Sequence, residues 1–331
     1  MKLKEIIFGA CLVTSVACQA QDGLFHLQFA TLQEAQQMIT TEDHHLKAMG
    51  QFDLDARVGK AGATKAELMQ LLTSECREWT QAEQDTLTKT FRILEQRIKD
   101  GGYKIPVPPT IVLIKTTMKE EGDAGAYTRD NQIYIGHTAL QARKMRDGRE
   151  RPAPTAESMC SLMAHELFHV LTRKDLEFKR RMYETIGFVR MDKELEFAQD
   201  IKDLRISNPD VSCYDSYAEL TVNGEKGNYT MMISADKPYE GGSFFQYMRI
   251  GLIPLDKDFK PVIKDGKTVL YPLDQSSDFY DKVGKNTGYV INPEECLADN
   301  FAIAINGFKP NPRMQELPNP EIIDRMHAVM K

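Results

Sequence analysis

The sequence has no excess of basic charge, no repeats and no paired cysteine motifs, and each absence narrows the class of protein. The 331-residue chain has a formal net charge of −6 and a pI of about 5.7. This balance argues against nucleic acid or an anionic membrane surface as the main partner. The chain shows no internal repeat and no low-complexity tract, so we expect ordinary globular domains. No two cysteines stand in CxxC spacing, so a zinc site made of cysteines is not expected.

Long apolar runs are also scarce, and the clearest one is a short run near the N-terminus. Residues 6–17 are mostly apolar, follow Lys2 and Lys4, and precede small residues. The run is too short to span a bilayer, and its surroundings are typical of an export signal. We therefore predict a signal peptide over residues 1–20, no membrane span, and a secreted or periplasmic protein that begins at Gln21.

A lipid anchor is the alternative to a cleaved signal. Val16-Ala17-Cys18 resembles part of a lipobox, the motif that directs lipid attachment to a cysteine. Ser15 stands where such sequences usually carry leucine. The sequence therefore favours cleavage after Ala20 over a lipoprotein anchored through Cys18.

Four cysteines follow the predicted signal: Cys76, Cys160, Cys213 and Cys296. Export permits disulfides between them, and the sequence does not choose among the pairings. The favoured interpretation is that they are small buried thiols.

The composition predicts a sizeable core, and local patterns divide the chain into regions. With 42% hydrophobic residues, the chain can form one large or two ordinary domains. Residues 21–105 are predicted to be helical, because capping boxes at Thr64 and Thr80 precede apolar residues at helical spacing. The pair Gly101-Gly102 ends the second of these helices.

Strands are predicted from about residue 106. A β-branched run at residues 110–114 and a hairpin pattern at 126–128 and 133–135 carry the signal. Residues 210–285 alternate strand and turn signals and are predicted to form a β-rich insertion. The insertion either shapes a cleft or is a plain structural extension. The expected fold class is α+β.

The most informative motif is HELFH at residues 165–169. His165 and His169 are four residues apart on a predicted helix that Thr155 caps, so both imidazoles can reach one point. This is the geometry of a two-histidine zinc grip, in which Glu166 can take a proton from a water molecule. The alternative interpretation is a pair of core histidines that bind no metal.

A catalytic zinc site needs a third protein ligand, and Glu295 is the strongest candidate. It lies in a predicted helix that begins after Asn292 and ends at Gly307. Glu295 and Asp299 share a helix face, so Glu295 can bind zinc while Asp299 accepts a hydrogen bond from a ligand histidine. Burial of this acidic pair calls for a cation, and Zn²⁺ is the predicted cofactor.

HELFH with a downstream Glu-x-x-x-Asp resembles the gluzincin branch of the zinc metallopeptidases. Residues 293–302 resemble the third-ligand helix of exported bacterial members. The resemblance implies that His165, His169 and Glu295 are the zinc ligands. It also implies that Glu166 is the general base and that Asp299 is the outer partner of a histidine.

The same resemblance implies a zincin-like domain over residues 106–331. In that fold a small mixed sheet packs on the HExxH helix, and an edge strand, here within residues 125–137, binds an extended peptide. The long interval between His169 and Glu295 departs from the thermolysin pattern. For that reason the resemblance assigns no residues of this chain to a substrate pocket.

Two other glutamates are alternative third ligands. Glu196 begins a second Glu-x-x-x-Asp pattern, and its short spacing from His169 is the common one among zincins. Its neighbourhood is densely charged, as on a solvated helix face. Glu294 lies next to Glu295 in the same predicted helix. If Glu295 is the ligand, Glu196 should lie away from the site and face solvent.

Peptide hydrolysis also needs a group that stabilises the developing oxyanion, and Tyr289, shortly before Glu295, is the candidate. The sequence thus predicts an exported zinc metallopeptidase that acts on protein or peptide substrates. The alternative is a non-catalytic, zinc-stabilised binding protein of the cell envelope. Glu166 separates the two, because a purely structural zinc site needs no base.

Overall fold

The computed structural model describes residues 23–144, 148–211, 213–310 and 313–331. The predicted signal peptide, including Ala20 and Cys18, lies outside the described residues. The helices are α1 (Leu32–Ile39), α2 (His44–Ala48), α3 (Gln51–Val58), α4 (Lys65–Glu75), α5 (Gln81–Asp100), α6 (His137–Leu140), α7 (Ala156–Lys174), α8 (Leu176–Glu184), α9 (Gln199–Leu204), α10 (Phe279–Val283), α11 (Pro293–Asn306) and α12 (Pro320–Met330). The strands are β1 (Leu27–Phe29), β2 (Cys76–Arg77), β3 (Ile111–Thr116), β4 (Ala126–Arg129), β5 (Gln132–Gly136), β6 (Arg143–Lys144), β7 (Glu150–Arg151), β8 (Phe188–Arg190), β9 (Ser216–Val222), β10 (Glu225–Ala235), β11 (Met248–Leu255), β12 (Ile263–Lys264), β13 (Lys267–Thr268) and β14 (Tyr271–Pro272).

The mixture of helices and strands confirms the predicted α+β class. The first sheet has the order β1-β3-β5-β4, and β2 also pairs with β3. Strands β1, β3 and β5 run parallel, whereas β4 is antiparallel to β5 and forms an edge. The predicted hairpin is therefore present as β4 and β5. Asp130 in its turn adopts a φ of 53°, a conformation that aspartate tolerates better than most residues.

The second sheet is antiparallel in the order β14-β11-β10-β9-β8. Asn223 and Gly224 join β9 to β10 with φ angles of 52° and 82°, as a two-residue hairpin turn of type I′ requires. A small hairpin of β12 and β13 turns at Asp265 and Gly266 in the same way. These elements confirm the strand and turn signals read from residues 210–285.

Helix α7 lies at the centre of the main core. It packs against α5 and α11 and against strands β4 and β5 of the first sheet. Met163, Leu167 and Leu171 are fully buried in this core. The ring of Phe168 lies 5.4 Å from the ring of Phe301 on α11, centroid to centroid. Packing of this kind fixes the relative position of the two helices that carry the predicted metal ligands.

The N-terminal region is mostly helical, as predicted, but it also supplies two strands. Helices α4 and α5 begin at the capping boxes of Thr64 and Thr80. Strands β1 and β2 both pair with β3 of the first sheet. Segments of two or three residues are too short to show an alternating pattern, so the prediction of a helical region over residues 21–105 was incomplete. A domain boundary near residue 105 stays a prediction.

Two further expectations concern the membrane and the cysteines. Across the described ranges, no helix has both the length and the apolar composition needed to cross a bilayer. Cys76, Cys160 and Cys296 are buried and form no disulfide among the described residues. Burial raises the pKa of both Cys76 and Cys296 to about 12, so these thiols stay protonated and unreactive.

Candidate metal centre

Two histidines of α7 face the same point. Helix α7 begins after Thr155, whose hydroxyl accepts a hydrogen bond from the Ser158 N–H at 3.2 Å. One helical turn separates His165 and His169, and their ring centroids are 4.9 Å apart. His169 is fully buried, and His165 is partly exposed. The two imidazole rings are therefore arranged as predicted for a two-histidine metal site.

Helix α11 brings Glu295 to the same point. It begins after Asn292, whose side chain accepts a hydrogen bond from the Glu294 N–H at 3.0 Å. The Oε2 atom of Glu295 lies 3.0 Å from Nε2 of His165 and 3.6 Å from Nε2 of His169. One ligand atom of each of these three residues lies within 4.8 Å of the other two. The structure therefore brings together the three side chains predicted as ligands.

The outer ring nitrogens of both histidines face carboxylates on α11. Nδ1 of His165 lies 2.8 Å from Oδ1 of Asp299, and Nδ1 of His169 lies 3.2 Å from Oε1 of Glu294. A carboxylate at Nδ1 holds the proton there and turns the Nε2 lone pair inward, as metal-binding histidines require. Thr287 donates a further hydrogen bond to Asp299. Asp299 thus occupies the place predicted for it.

Glu294 has a role that the sequence did not reveal. Its carboxylate accepts hydrogen bonds from the Thr172 hydroxyl at 2.5 Å and the Tyr183 hydroxyl at 2.6 Å, in addition to the contact with His169. Burial would raise the pKa of Glu294, but its hydrogen bonds and the nearby Lys179 hold it below the ordinary value. Glu294 therefore lies behind His169, on the side away from Glu295.

Carboxylates outnumber cations around this point. Burial would lower the pKa of His169, but Asp210, Glu294 and Glu295 raise it to about 9. Without a metal ion, a proton can bridge Nε2 of His165 and Oε2 of Glu295, and a metal ion would take the place of that proton. Such a concentration of buried negative charge is costly unless a cation neutralises it.

The donor set and one orphaned atom both fit a zinc ion. Nε2 of His169 is buried and has no hydrogen-bond partner among the described residues, which is rare and unfavourable for a polar atom. It points toward the carboxylate of Glu295. Two imidazoles and one carboxylate form a set that suits Zn²⁺ and leaves a coordination position for water. The residues present therefore fit the cofactor predicted from the sequence.

Glu166 lies beside the three predicted ligands, and with His169 and Asp210 it forms a second group of side chains that could hold a metal ion. Its Oε2 atom accepts a hydrogen bond from the Thr128 hydroxyl at 2.8 Å, and only 2% of its surface is exposed. Burial is the main reason that the pKa of Glu166 lies above the ordinary value. A carboxylate held in this position can accept a proton from a water molecule at the candidate metal site, as a general base must.

The segment Asn208-Pro209-Asp210 also reaches the site, although the sequence assigned it no role there. Asn208 donates a hydrogen bond from its side chain to Oε1 of Glu295. Oδ1 of Asp210 accepts the backbone N–H of Thr128 at 2.6 Å and lies 3.9 Å from Nε2 of His169. No pattern in the sequence marks the two hydrogen bonds, because each joins residues more than eighty positions apart.

Tyr289 lies close to the candidate ligands, whereas Glu196 lies away from them. The ring of Tyr289 lies 6.1 Å from the ring of His165, and 42% of its surface is exposed, so it stands at the mouth of the site. Glu196 is exposed and has no place in the cluster of candidate ligands. It does not lie on a helix face, since α9 begins only at Gln199, so that part of the prediction was wrong.

An apolar pocket adjoins the site. Tyr289 and Ile291 line one part of it. Phe244 and Phe245, from the segment between β10 and β11, line another together with Met248, the first residue of β11. Ala126 of the edge strand β4, together with Asn208 and Asp210, completes its wall on the side of the metal centre. The β-rich part of the chain therefore contributes to the surface beside the candidate metal centre.

Comparison with known proteins assigns no family to this chain. No family model matches it, and no curated protein and no solved structure matches it either. The chemistry of the residues described above is therefore the basis for a functional proposal.

Proposed function

We propose that this protein is an exported, zinc-dependent metallopeptidase with a gluzincin-type site on a zincin-like fold. One observation supports the proposal most strongly. The inner nitrogens of His165 and His169 converge on Glu295, while carboxylates occupy both outer nitrogens. A pair of buried histidines without a metal does not need partners at both the inner and the outer nitrogens, whereas a metal site needs both.

His165, His169 and Glu295 would hold the zinc ion. When bound, zinc would supply Lewis acidity that lowers the pKa of a water molecule and polarises a substrate carbonyl. Asp299 and Glu294 would keep the two imidazoles in the tautomer and orientation that binding requires.

Glu166 would carry the protons of the reaction. It would accept one proton from the water molecule whose oxygen joins the carbonyl carbon, and would give it to the amine nitrogen when the C–N bond breaks. The Thr128 hydroxyl, 2.8 Å away, holds the carboxylate in place for both transfers. Tyr289, at the mouth of the site, would donate a hydrogen bond to the carbonyl oxygen as its negative charge develops.

The substrate would bind as an added strand. Strand β4 is the edge of the first sheet and packs against α7 beside Glu166. The outward N–H and C=O groups of Thr128 already contact Asp210 and Arg173. An extended peptide would therefore pair through its main chain with the part of this edge before Thr128, and side-chain pockets would then supply specificity. The apolar pocket lined by Phe244, Phe245 and Met248 lies next to this edge. The β-rich insertion would thus shape the cleft and not merely extend the fold.

The second candidate function is a zinc-stabilised binding protein without catalysis. The low exposure of the site favours it, because His169 and Glu295 are fully buried and Glu166 is 2% exposed. Structural zinc sites are closed, and catalytic sites keep one position open. The presence of Glu166, hydrogen-bonded and raised in pKa beside the ligands, favours catalysis.

Metal analysis combined with a peptidase assay tests the proposal. The purified protein should contain one zinc ion and cleave a mixture of internally quenched fluorescent peptides. A chelator should abolish cleavage, and added zinc should restore it. Zinc retention without cleavage of any peptide would support the binding protein, and absence of zinc would refute both functions.

A further inference from the structure

Ser207 is held through all of its polar atoms by helix α3 of the N-terminal region. Oδ1 of Asp53 accepts the Ser207 N–H at 2.8 Å, and Oδ2 of Asp53 accepts the Ser207 hydroxyl at 2.7 Å. Nη2 of Arg57 donates to the carbonyl oxygen of Ser207 at 2.7 Å. The backbone just before Asn208 is therefore fixed from a part of the chain about 150 residues away.

The side chains that hold Ser207 form a buried network of charges. Arg57 contacts Oδ1 of Asp53 at 2.8 Å and both oxygens of Glu121, at 3.0 Å and 2.8 Å. Asp53 is fully buried, and Arg57 is 6% exposed. A buried ion network is weak as a source of stability, because desolvation offsets most of the attraction, and such networks are better explained where they fix a position.

This network, through Ser207, fixes the position of Asn208. Its side-chain amide donates to Oε1 of Glu295, the oxygen that does not face the histidines. Its own Oδ1 accepts the Asp210 N–H at 2.9 Å. On the far side, Arg173 donates to the carbonyl oxygens of Pro209 and Asp210 at 2.7 Å and 2.9 Å. The segment is thus held at both ends, with Asn208 between them.

We propose that Asn208 is a positioning residue for Glu295, and that Asp53, Arg57 and Ser207 set its place. The inference rests on the proposed function only in taking Glu295 as a metal ligand. A carboxylate has two equivalent oxygens and can rotate. A donor on Oε1 leaves Oε2 directed at Nε2 of both histidines, so the site is organised before a metal arrives. The N-terminal helical region is by this account a structural part of the metal centre.

Zinc affinity, measured by competition with a chromogenic chelator, tests the proposal without any assay of activity. Asn208→Ala should weaken zinc binding about 10- to 100-fold, as loss of a partner to a metal ligand does. Ser207→Ala should weaken it in the same direction but less, and Ser207→Thr, which keeps the hydroxyl, should restore it. The visible absorption of the cobalt-substituted protein should change in Asn208→Ala, because Glu295 is then free to bind differently.

The chain offers a matched control in Thr221. Its N–H and hydroxyl contact Oδ1 and Oδ2 of Asp278 at 2.8 Å and 3.0 Å, the same arrangement that joins Ser207 to Asp53. Thr221→Ala should therefore remove an equivalent hydrogen bond and leave zinc affinity unchanged. Equal loss of affinity in Thr221→Ala and Ser207→Ala would overturn the proposal.

Two further outcomes separate this inference from the proposed function. If the wild-type protein cleaves no peptide but zinc affinity falls in Asn208→Ala and Ser207→Ala, the peptidase is refuted and the positioning role stands. If Asn208→Ala keeps both the zinc affinity and the cobalt spectrum of the wild type, the positioning role is refuted and the peptidase stands. A wild-type protein that binds neither metal would overturn both. Should Asn208→Ala fail to fold, the Ser207 variants and their control give the answer.

Discussion

Replacement of Glu166 by glutamine should abolish peptide hydrolysis and leave zinc bound. The glutamine oxygen can still accept the hydrogen bond that the Thr128 hydroxyl donates at 2.8 Å, and the side chain has nearly the same volume, so the buried position is kept. What is lost is the proton acceptor. Loss of a general base typically lowers the rate about 10²- to 10⁴-fold, which corresponds to roughly 3–5 kcal/mol of transition-state stabilisation.

The matched control is Glu294→Gln, which makes the same chemical change on α11, at the carboxylate beside Nδ1 of His169. Glu294 is as deeply buried as Glu166, with 3% and 2% of their surfaces exposed. It contacts the outer nitrogen of His169, so its substitution should weaken zinc binding about 10- to 100-fold. The assays are kcat/KM on a fluorogenic peptide and zinc affinity by chelator competition. Zinc loss in Glu166→Gln, or turnover equal to the wild type, would refute the assignment of the base.

The remaining predictions concern the oxyanion, the core and the N-terminus. Tyr289→Phe should lower kcat by about 10²- to 10³-fold, as loss of one oxyanion donor does, with zinc affinity unchanged; an unaltered kcat would exclude Tyr289 from the reaction. Phe301→Ala, at a fully buried position, should lower the free energy of unfolding by about 3–5 kcal/mol, measured by urea denaturation, and a loss below 1 kcal/mol would contradict the packing described around α7. Mass spectrometry of the exported protein should find Gln21 as its first residue, whereas a diacylglyceryl-modified Cys18 would show a lipoprotein.

Local sequence signals predicted most of the elements that carry the site. Thr155 and Asn292 cap the two helices that hold the candidate ligands, and capping depends on residues only a few positions apart. The turn between β9 and β10 also depends on two local residues, Asn223 and Gly224, because few residues adopt its positive φ angles. Features decided within a few residues can be predicted from the sequence alone.

Features decided by distant contacts could not be predicted. Nothing near Asn208 indicates that it contacts Glu295, and nothing near Ser207 indicates that it is held by α3. Glu294 and Glu295 are neighbours on one helix, and both are buried. Only the packing of α11 on α7 decides which of them faces the inner nitrogens. The strands β1 and β2 were missed because they exist only through pairing with β3.

A crystal structure of the zinc-loaded protein, with anomalous diffraction recorded at the zinc absorption edge, tests the central claim most directly. We expect one anomalous peak at about 2.0–2.2 Å from Nε2 of His165, Nε2 of His169 and a carboxylate oxygen of Glu295. Glu295→Ala, prepared at the same zinc concentration, should lose most of that peak. A peak at any other place, or a peak at this place that is equally strong without Glu295, would contradict the ligand set and the function built on it.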